Sequence, residues 1–201
     1  MFKQLIFVFL VFCSSTVIAA EEIDQAIHDE LRGLLGGIED AVNEERYNDL
    51  AVFFHENLRV TTVNQEVISS RQEIGEYFDR WFGADGYLSK VEMKLEADET
   101  TQLYADKSFG VVRGAGIEKY ILSDSRAYDI QTRWTATVVK DSDGMWRILT
   151  LHIGTNFLDN PILSEAEASL LYFGGGGLLA GIVVMLLFNL VRRGRKKRLQ
   201  N

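Results

Sequence analysis

A histidine near the end of a predicted strand is the first candidate for chemistry in this chain. His152 follows Trp146, Ile148 and Thr150 at every second position, and strand alternation places these four side chains on one mostly apolar face. Histidine titrates near neutral pH, so an imidazole there could act as a base or bind a ligand. A core histidine with a single hydrogen-bond partner fits the same pattern. We therefore assign no catalytic residue and keep His152 as a candidate for catalysis and for a pocket.

Three large aromatic residues are further candidates for a pocket wall. Tyr77 and Trp81 lie one turn apart on a predicted helix, and Trp134 lies in a predicted strand. Ligand pockets are lined mainly by apolar and aromatic side chains with a few polar groups among them. Ordinary core packing is the alternative, and the pattern favours it.

The sequence predicts neither a metal nor a cofactor. Neither His28 nor His55 has a second histidine at the i, i+4 spacing that would place two imidazole ligands on one helix face. The only cysteine is Cys13, and the glycine run 174–177 lies in an apolar segment where it cannot cradle a phosphate.

The first twenty residues are typical of a secretory signal peptide. Lys3 precedes a short apolar centre, and small residues end the segment at Ala19 and Ala20. Cleavage after either alanine fits. The alternative is a retained anchor, but the fully apolar centre is shorter than the roughly 20 residues that a spanning helix needs.

The other end of the chain predicts a transmembrane helix. Residues 168–191 carry no charged side chain, and the basic tail 192–201 follows them directly. Basic flanks stay in the cytoplasm, so residues 21–158 are expected outside, in the bacterial periplasm, joined to the helix by a linker at 159–167. Gly177 and Gly181 form a GxxxG pair that favours helix dimerisation, although glycine is common in such helices.

Charge divides the chain in the same way. The part expected outside, taken together with the linker, carries 14 Lys and Arg against 29 Asp and Glu, a net charge of −15. Such a domain is repelled by nucleic acid, so we expect no nucleic-acid partner. The basic tail suits anionic lipid headgroups.

Hydrophobic periodicity places helices before strands in the exported part. It predicts a helix over 22–44, a short helix near 49–55, a strand at 58–63, and a third helix opened by the capping box of Ser70 and Glu73. Strands follow at 88–97, 108–113, 130–140 and 146–157, and the last two form a hairpin. Residues 115–129 read as an excursion between strands. This order predicts the α+β class, with helices packed on an antiparallel sheet.

The last strand also suggests an assembly surface. Leu149, Leu151 and Ile153 alternate with His152 and its neighbours, so they would form the opposite face of the strand. An apolar outer face favours packing against a second subunit, and we expect a homodimer.

Three segments carry a resemblance to a known family: 49–60, 70–78, and the hairpin from Arg133 to Phe157 with its Gly-x-Trp-Arg-Ile…His pattern. Over residues 21 to about 160 the chain resembles nuclear-transport-factor-2-like proteins, of the SnoaL-like, small polyketide-cyclase-like group. The resemblance implies a cone-shaped α+β fold in which a curved sheet wraps round helices and leaves a pocket. Members include isomerases, cyclases, epoxide hydrolases and non-catalytic binding or assembly domains.

The family's catalytic sets do not map onto this chain. The isomerases use an Asp base with a Tyr/acid pair, and the epoxide hydrolases an Asp-Arg-Asp set. The nearest groupings, Asp129 with Arg133 and Asp124 with Arg126, look like surface pairs. The sequence therefore favours a tethered, non-catalytic module that binds a small apolar ligand or a protein. The alternative is a cofactor-independent isomerase, cyclase or hydrolase acting on a small apolar substrate.

Overall fold

The structure is a computed structural model that describes residues 24–198, with side chains described through residue 189. It divides into two compact units, one ending at Asn156 and the other beginning at Phe157. The predicted signal peptide lies outside the described residues.

The first unit is built on one mixed, mainly antiparallel sheet. Its strand order is β2-β1-β7-β6-β5-β3, and β4 also pairs with β5. Among the strands that the structure describes, only the β1–β7 pairing is parallel. The strands are β1 (Phe54–Thr61), β2 (Val67–Ile68), β3 (Leu88–Ala97), β4 (Gln102–Tyr104), β5 (Phe109–Leu122), β6 (Ala127–Lys140) and β7 (Trp146–Thr155).

Two helices and a 3-10 turn cover the sheet. Helix α1 spans 24–43 and buries Ile27, Leu31 and Val42. A 3-10 helix follows at Tyr47–Phe53 and leads directly into β1. The stacking of Tyr47 on a phenylalanine of the next helix, with ring centroids 4.3 Å apart, ties that turn to the core.

Helix α2 (Arg71–Phe82) begins at the predicted capping box. The Ser70 hydroxyl accepts a hydrogen bond from the Glu73 backbone N–H at 3.3 Å, and the Glu73 carboxylate accepts one from the Ser69 N–H at 2.7 Å. These bonds satisfy backbone donors that the helix start leaves free. The predicted N-terminus of this helix is confirmed.

The α+β class and the final hairpin are confirmed, but one local prediction is wrong. Residues 115–129 are not an excursion: β5 continues to Leu122, and a tight turn leads into β6 at Ala127. The segment 159–167, expected as a linker, is helical from Pro161 onward.

Strand β7 contains an irregularity that sets the direction of its last side chains. Thr137 pairs with Thr150, yet its neighbour Val138 pairs with Ile148, so Leu149 is an extra residue in β7. An extra residue in one strand reverses the alternation beyond it. Trp146 and Ile148 are buried on the concave face before the bulge, and Leu151 faces the same side after it.

The second unit contains one long helix, α3 (Pro161–Arg198). Asn160 caps it, since the Asn160 side-chain oxygen accepts a hydrogen bond from the Leu163 N–H at 3.0 Å. Its part Pro161–Asn189 is long and apolar enough to cross a membrane, and its side chains are exposed within the single chain.

Candidate ligand-binding cavity

A cavity of about 160 Å³, here called the inner cavity, lies between α1, α2 and the concave face of the sheet. A dry apolar cavity of roughly 150 Å³ is large enough to bind benzene. The inner cavity therefore has room for one ring-sized group. Most of its lining is aliphatic or aromatic, and the polar side chains that reach it are Thr62, Tyr77, Glu118, Tyr120 and Trp134.

Glu118 is the one carboxyl group in this lining. It lies in β5 and is only 4% exposed. Thr132 Oγ1 on β6 donates a hydrogen bond to Glu118 Oε1 at 2.8 Å, and the Tyr120 hydroxyl donates one to Glu118 Oε2. No cation is among its partners. Burying a carboxylate without a counter-charge is costly, so the two hydroxyl donors are what hold this group in place.

Gly116 makes room for this arrangement. It pairs with Thr132 across β5 and β6. A Cβ at Gly116 would lie 2.6 Å from Thr132 Oγ1 and 3.4 Å from Glu118 Oε1. A larger residue would therefore displace the hydroxyl that donates to the carboxylate.

Burial changes the acidity of the whole pair. Loss of solvent raises the pKa of the Glu118 carboxyl, and the bonds from Tyr120 and Thr132 offset only part of that rise. Burial and the neighbouring carboxylate raise the pKa of Tyr120. Glu118 thus holds a proton more readily than an ordinary glutamate, while Tyr120 stays protonated and able to donate.

Tyr77 on α2 brings a second phenol to the inner cavity. Its hydroxyl donates a hydrogen bond to Asn64 Oδ1 at 3.4 Å. Burial raises the pKa of Tyr77 to about 12, and the negative charges of Glu66 and Glu118 add to the rise. Because the charge of Glu118 contributes to the raised pKa of Tyr77, the two groups belong to one electrostatic site.

The structure places two of the four predicted pocket residues at the inner cavity. Tyr77 and Trp134 line it. Trp81 does not, because its indole N–H donates to Glu66 Oε1 at 2.7 Å in the turn between β1 and β2. A role for any of them in ligand binding stays a prediction.

His152 does not reach the inner cavity. The bulge at Leu149 reverses the alternation, so His152 is exposed on the outer face, while Leu151 and Ile153 line the cavity. The predicted faces of this strand are therefore wrong from Thr150 onward. Because Leu151 and Ile153 point inward, they do not form the apolar outer surface that was expected from Leu149, Leu151 and Ile153.

Sequence reasoning missed Glu118 and Tyr120 because it assigned their segment to an excursion. Two glycines, Gly114 and Gly116, and the adjacent charges weakened the strand pattern there. The available signal was the period-two order Gly114, Gly116, Glu118. It places two residues without side chains on the same face as a carboxyl group.

Among residues 24–198, no group of three His, Cys, Asp or Glu side chains is arranged to hold a metal ion. The absence of a metal or cofactor stays a prediction.

Solved structures match about two thirds of this chain. A scytalone dehydratase-like protein of Novosphingobium aromaticivorans superposes with a TM-score of 0.58 at 13% identity, covering 66% of this chain and 86% of that one. A ketosteroid isomerase-like protein of Erwinia carotovora gives 0.53 at 12% identity, with 62% and 92% covered. The fold is nuclear-transport-factor-2-like. The resemblance seen in the sequence is confirmed at the level of this fold.

Another solved structure shares this fold. A calcium/calmodulin-dependent protein kinase II association domain from Xanthomonas campestris gives a TM-score of 0.54 at 22% identity, covering 65% of this chain and 88% of that one. No family model matches the sequence, and no curated protein does. At these identities the matches establish the nuclear-transport-factor-2-like fold, and function has to be argued from the site.

Proposed function

We propose that this chain is a membrane-attached domain that binds one small, largely apolar molecule in the inner cavity, with a polar atom of that molecule bound to Glu118. The observation that carries the proposal is a buried carboxyl group, held by two hydroxyl donors, in the wall of an otherwise apolar cavity. A core without a ligand gains nothing from a carboxyl group in that position, because its burial costs free energy.

The geometry suits a hydroxyl or carbonyl group on the ligand. A carboxylate accepts a hydrogen bond from a hydroxyl group, and a protonated carboxyl donates one to a carbonyl. Because the pKa of Glu118 is raised, the pH at which its ionised and protonated forms interconvert lies nearer to neutral than for an ordinary glutamate. The apolar remainder of the ligand would contact aliphatic side chains such as Val91, Met93 and Leu151.

Binding of cyclohexanol and of methylcyclohexane tests this proposal, because the two differ by a hydroxyl group in place of a methyl group. Titration calorimetry on the full chain in detergent should show that Glu118→Leu weakens cyclohexanol binding about tenfold or more, the effect of losing a hydrogen bond to a buried polar group. Binding of methylcyclohexane should not weaken.

Glu92→Leu is the matched control. Glu92 lies between Val91 and Met93, which both face the inner cavity, so its own side chain points away. This substitution should leave both dissociation constants unchanged. The proposal would be contradicted if both variants weakened cyclohexanol binding equally, or if cyclohexanol did not bind to the wild type.

A second candidate function is cofactor-independent proton transfer, favoured by the contact between Glu118 and the Tyr120 phenol. The ionised carboxylate would take a proton from the carbon next to a ketone. The electron pair of that C–H bond would form the carbon–carbon double bond of an enolate. The π pair of the C=O bond would move to the oxygen, where a phenol such as Tyr77 would donate a hydrogen bond. Return of a proton to the carbon would complete the exchange or an isomerisation.

Hydrogen–deuterium exchange of cyclohexanone, followed by NMR in D₂O, tests that candidate. The wild type should accelerate exchange, and Glu118→Gln should reduce the acceleration about a hundredfold or more, the usual size of a general-base contribution. Exchange at the same rate with and without protein would exclude this activity and leave the binding proposal standing.

We also propose that the domain lies outside the cytoplasm, in a bacterial periplasm, with the C-terminus inside. The basic residues directly after the apolar part of α3 support this orientation. A C-terminal fusion to a reporter enzyme that is active only in the periplasm should be inactive. Activity of that fusion would contradict the orientation.

A further inference from the structure

A second space lies next to the inner cavity. This outer hollow has a volume of about 370 Å³ and lies between α1 and strands β3, β5 and β6. Much of its lining is aliphatic, including Leu31, Leu34 and Val112. Unlike the inner cavity, it is lined by side chains of both signs of charge, namely Arg32 from α1 and Glu96 and Glu99 from the β3 side.

The same side chains border both spaces. Six residues line the inner cavity and the outer hollow alike, so they form the partition between them: Leu35, Ile38, Leu95, Trp134, Ala136 and Ile148. All six are apolar apart from one indole N–H. A molecule that crossed this partition would therefore contact no charged side chain among these six residues.

One side of the partition is fixed and the other can move. Trp134 is 7% exposed, its indole N–H donates to the Ala115 carbonyl at 3.0 Å, and Gly114 leaves space for its ring. Leu35 and Ile38 on α1 are only partly buried, and Leu35 precedes Gly36, where nothing lies within 4 Å of an added Cβ. Rotation of these two aliphatic side chains would open the partition without breaking a hydrogen bond.

Volume decides what kind of ligand fits. Pockets for drug-sized ligands measure roughly 300–1,000 Å³, which exceeds the inner cavity alone. The outer hollow extends the available space into that range. Its rim carries both signs of charge, and Arg32 already pairs with Asp29, so it offers no preference for a charged end group.

We propose that the two spaces form one channel for an uncharged molecule with a single alkyl chain. Its hydroxyl or carbonyl group binds at Glu118, and its chain passes between Leu35, Ile38 and Trp134 into the outer hollow. This inference rests on the function proposed above, which it extends from a ring-sized ligand to a chain-bearing one.

The test uses linear alcohols, butanol, hexanol and decanol, with the full chain in detergent. Val112→Phe fills the outer hollow, because Val112 lines that space and not the inner cavity. Calorimetry gives the dissociation constant of each alcohol for the variant, divided by that for the wild type. This ratio should be near one for butanol and at least about ten for decanol, because each buried methylene contributes about fourfold to affinity. Partition of the alcohol into detergent cancels in this ratio.

Val111→Phe is the matched control, since Val111 lies on the other face of β5. Its ratio should stay near one for all three alcohols. Ala97→Phe fills the outer hollow from β3 and should reproduce the length dependence, which keeps the test available if Val112→Phe does not fold.

Two results would overturn the channel. If butanol and decanol both bind in a Glu118-dependent manner, but the ratio for the filled variants does not depend on chain length, the ligand is confined to the inner cavity and the proposed function stands. If no alcohol binds the wild type, the channel and the proposed function both fail.

Discussion

Glu118 and His152 illustrate how environment rather than residue type selects the functional group. The histidine has the more versatile chemistry, yet it is exposed on the outer face of the sheet. The glutamate is buried beside two hydroxyl donors in an apolar wall. Burial raises the pKa of the Glu118 carboxyl, and shifted acidity of this kind marks candidate functional sites.

The raised pKa of Glu118 predicts a pH dependence of stability with a definite sign. A carboxyl group whose pKa is higher in the folded than in the unfolded state stabilises the fold in its protonated form, and that contribution is lost as pH rises through the folded pKa. The window therefore begins near the ordinary value of 4.5 and extends upward. Glu118→Gln should lack this part of the dependence.

Urea unfolding of both proteins from pH 4 to 8 measures the effect. The free energy of unfolding of Glu118→Gln minus that of the wild type should increase with pH, with a slope no steeper than about 1.4 kcal/mol per pH unit. A difference that stays constant, or that decreases as pH rises, would show that the carboxyl is not penalised by burial.

At the scale of elements, one extra residue in β7 decides which side chains meet the inner cavity. Before Leu149 the strand follows the alternation of the sequence, and after it the inward positions are Leu151 and Ile153. A bulge of this kind depends on the pairing with β6, which the local sequence does not reveal. The curved sheet thus gains two aliphatic lining residues and loses a histidine.

Helix α1 contains three glycines with two different roles. An added Cβ at Gly33 or Gly36 meets nothing within 4 Å, whereas at Gly37 it would lie 2.7 Å from the Phe53 ring. Gly33→Ala and Gly36→Ala should each raise the free energy of unfolding by about 0.5–1 kcal/mol, since alanine favours the helix. Gly37→Ala should lower it by about 1 kcal/mol through overpacking.

Thermal and urea unfolding followed by circular dichroism compare the three variants. Because the same substitution is made within one turn and a half of one helix, the opposite sign isolates packing from helix propensity. Destabilisation by Gly33→Ala and Gly36→Ala would mean that α1 needs a conformation that alanine resists.

For the whole molecule, α3 gives the chain a segment long enough to span a membrane. The homodimer expected from the sequence rested on two surfaces. The outer face of β7 no longer supports it, because Leu151 and Ile153 point inward. The GxxxG face of α3 remains, and its Gly177 and Gly181 have open space around an added Cβ in the single chain.

Association through that face makes a specific prediction. Gly177→Leu with Gly181→Leu should abolish dimers of the full chain in lipid nanodiscs or mild detergent, because bulky side chains keep the helix backbones apart. Gly175→Leu, on the opposite side of α3, should leave dimers intact. Cross-linking measures the dimer fraction, and a fraction unchanged by the double substitution would contradict association through these glycines.

The sequence by itself determined the features that depend on local pattern or on composition. The capped start of α2, the hairpin of β6 and β7, the α+β class and the apolar C-terminal helix all follow from periodicity, turn residues and charge within a short stretch. The resemblance in three segments was sufficient to predict the nuclear-transport-factor-2-like fold, which the solved structures confirm.

Only the tertiary structure decided the site. The strand that carries Glu118 and Tyr120 is stabilised by pairing with β3 and β6, and its glycines made it look like a loop in isolation. The direction of His152 depends on a bulge between two strands, and the burial of Glu118 depends on side chains from both helices and the sheet. These are long-range contacts, so no window of local sequence contains the information that specifies them.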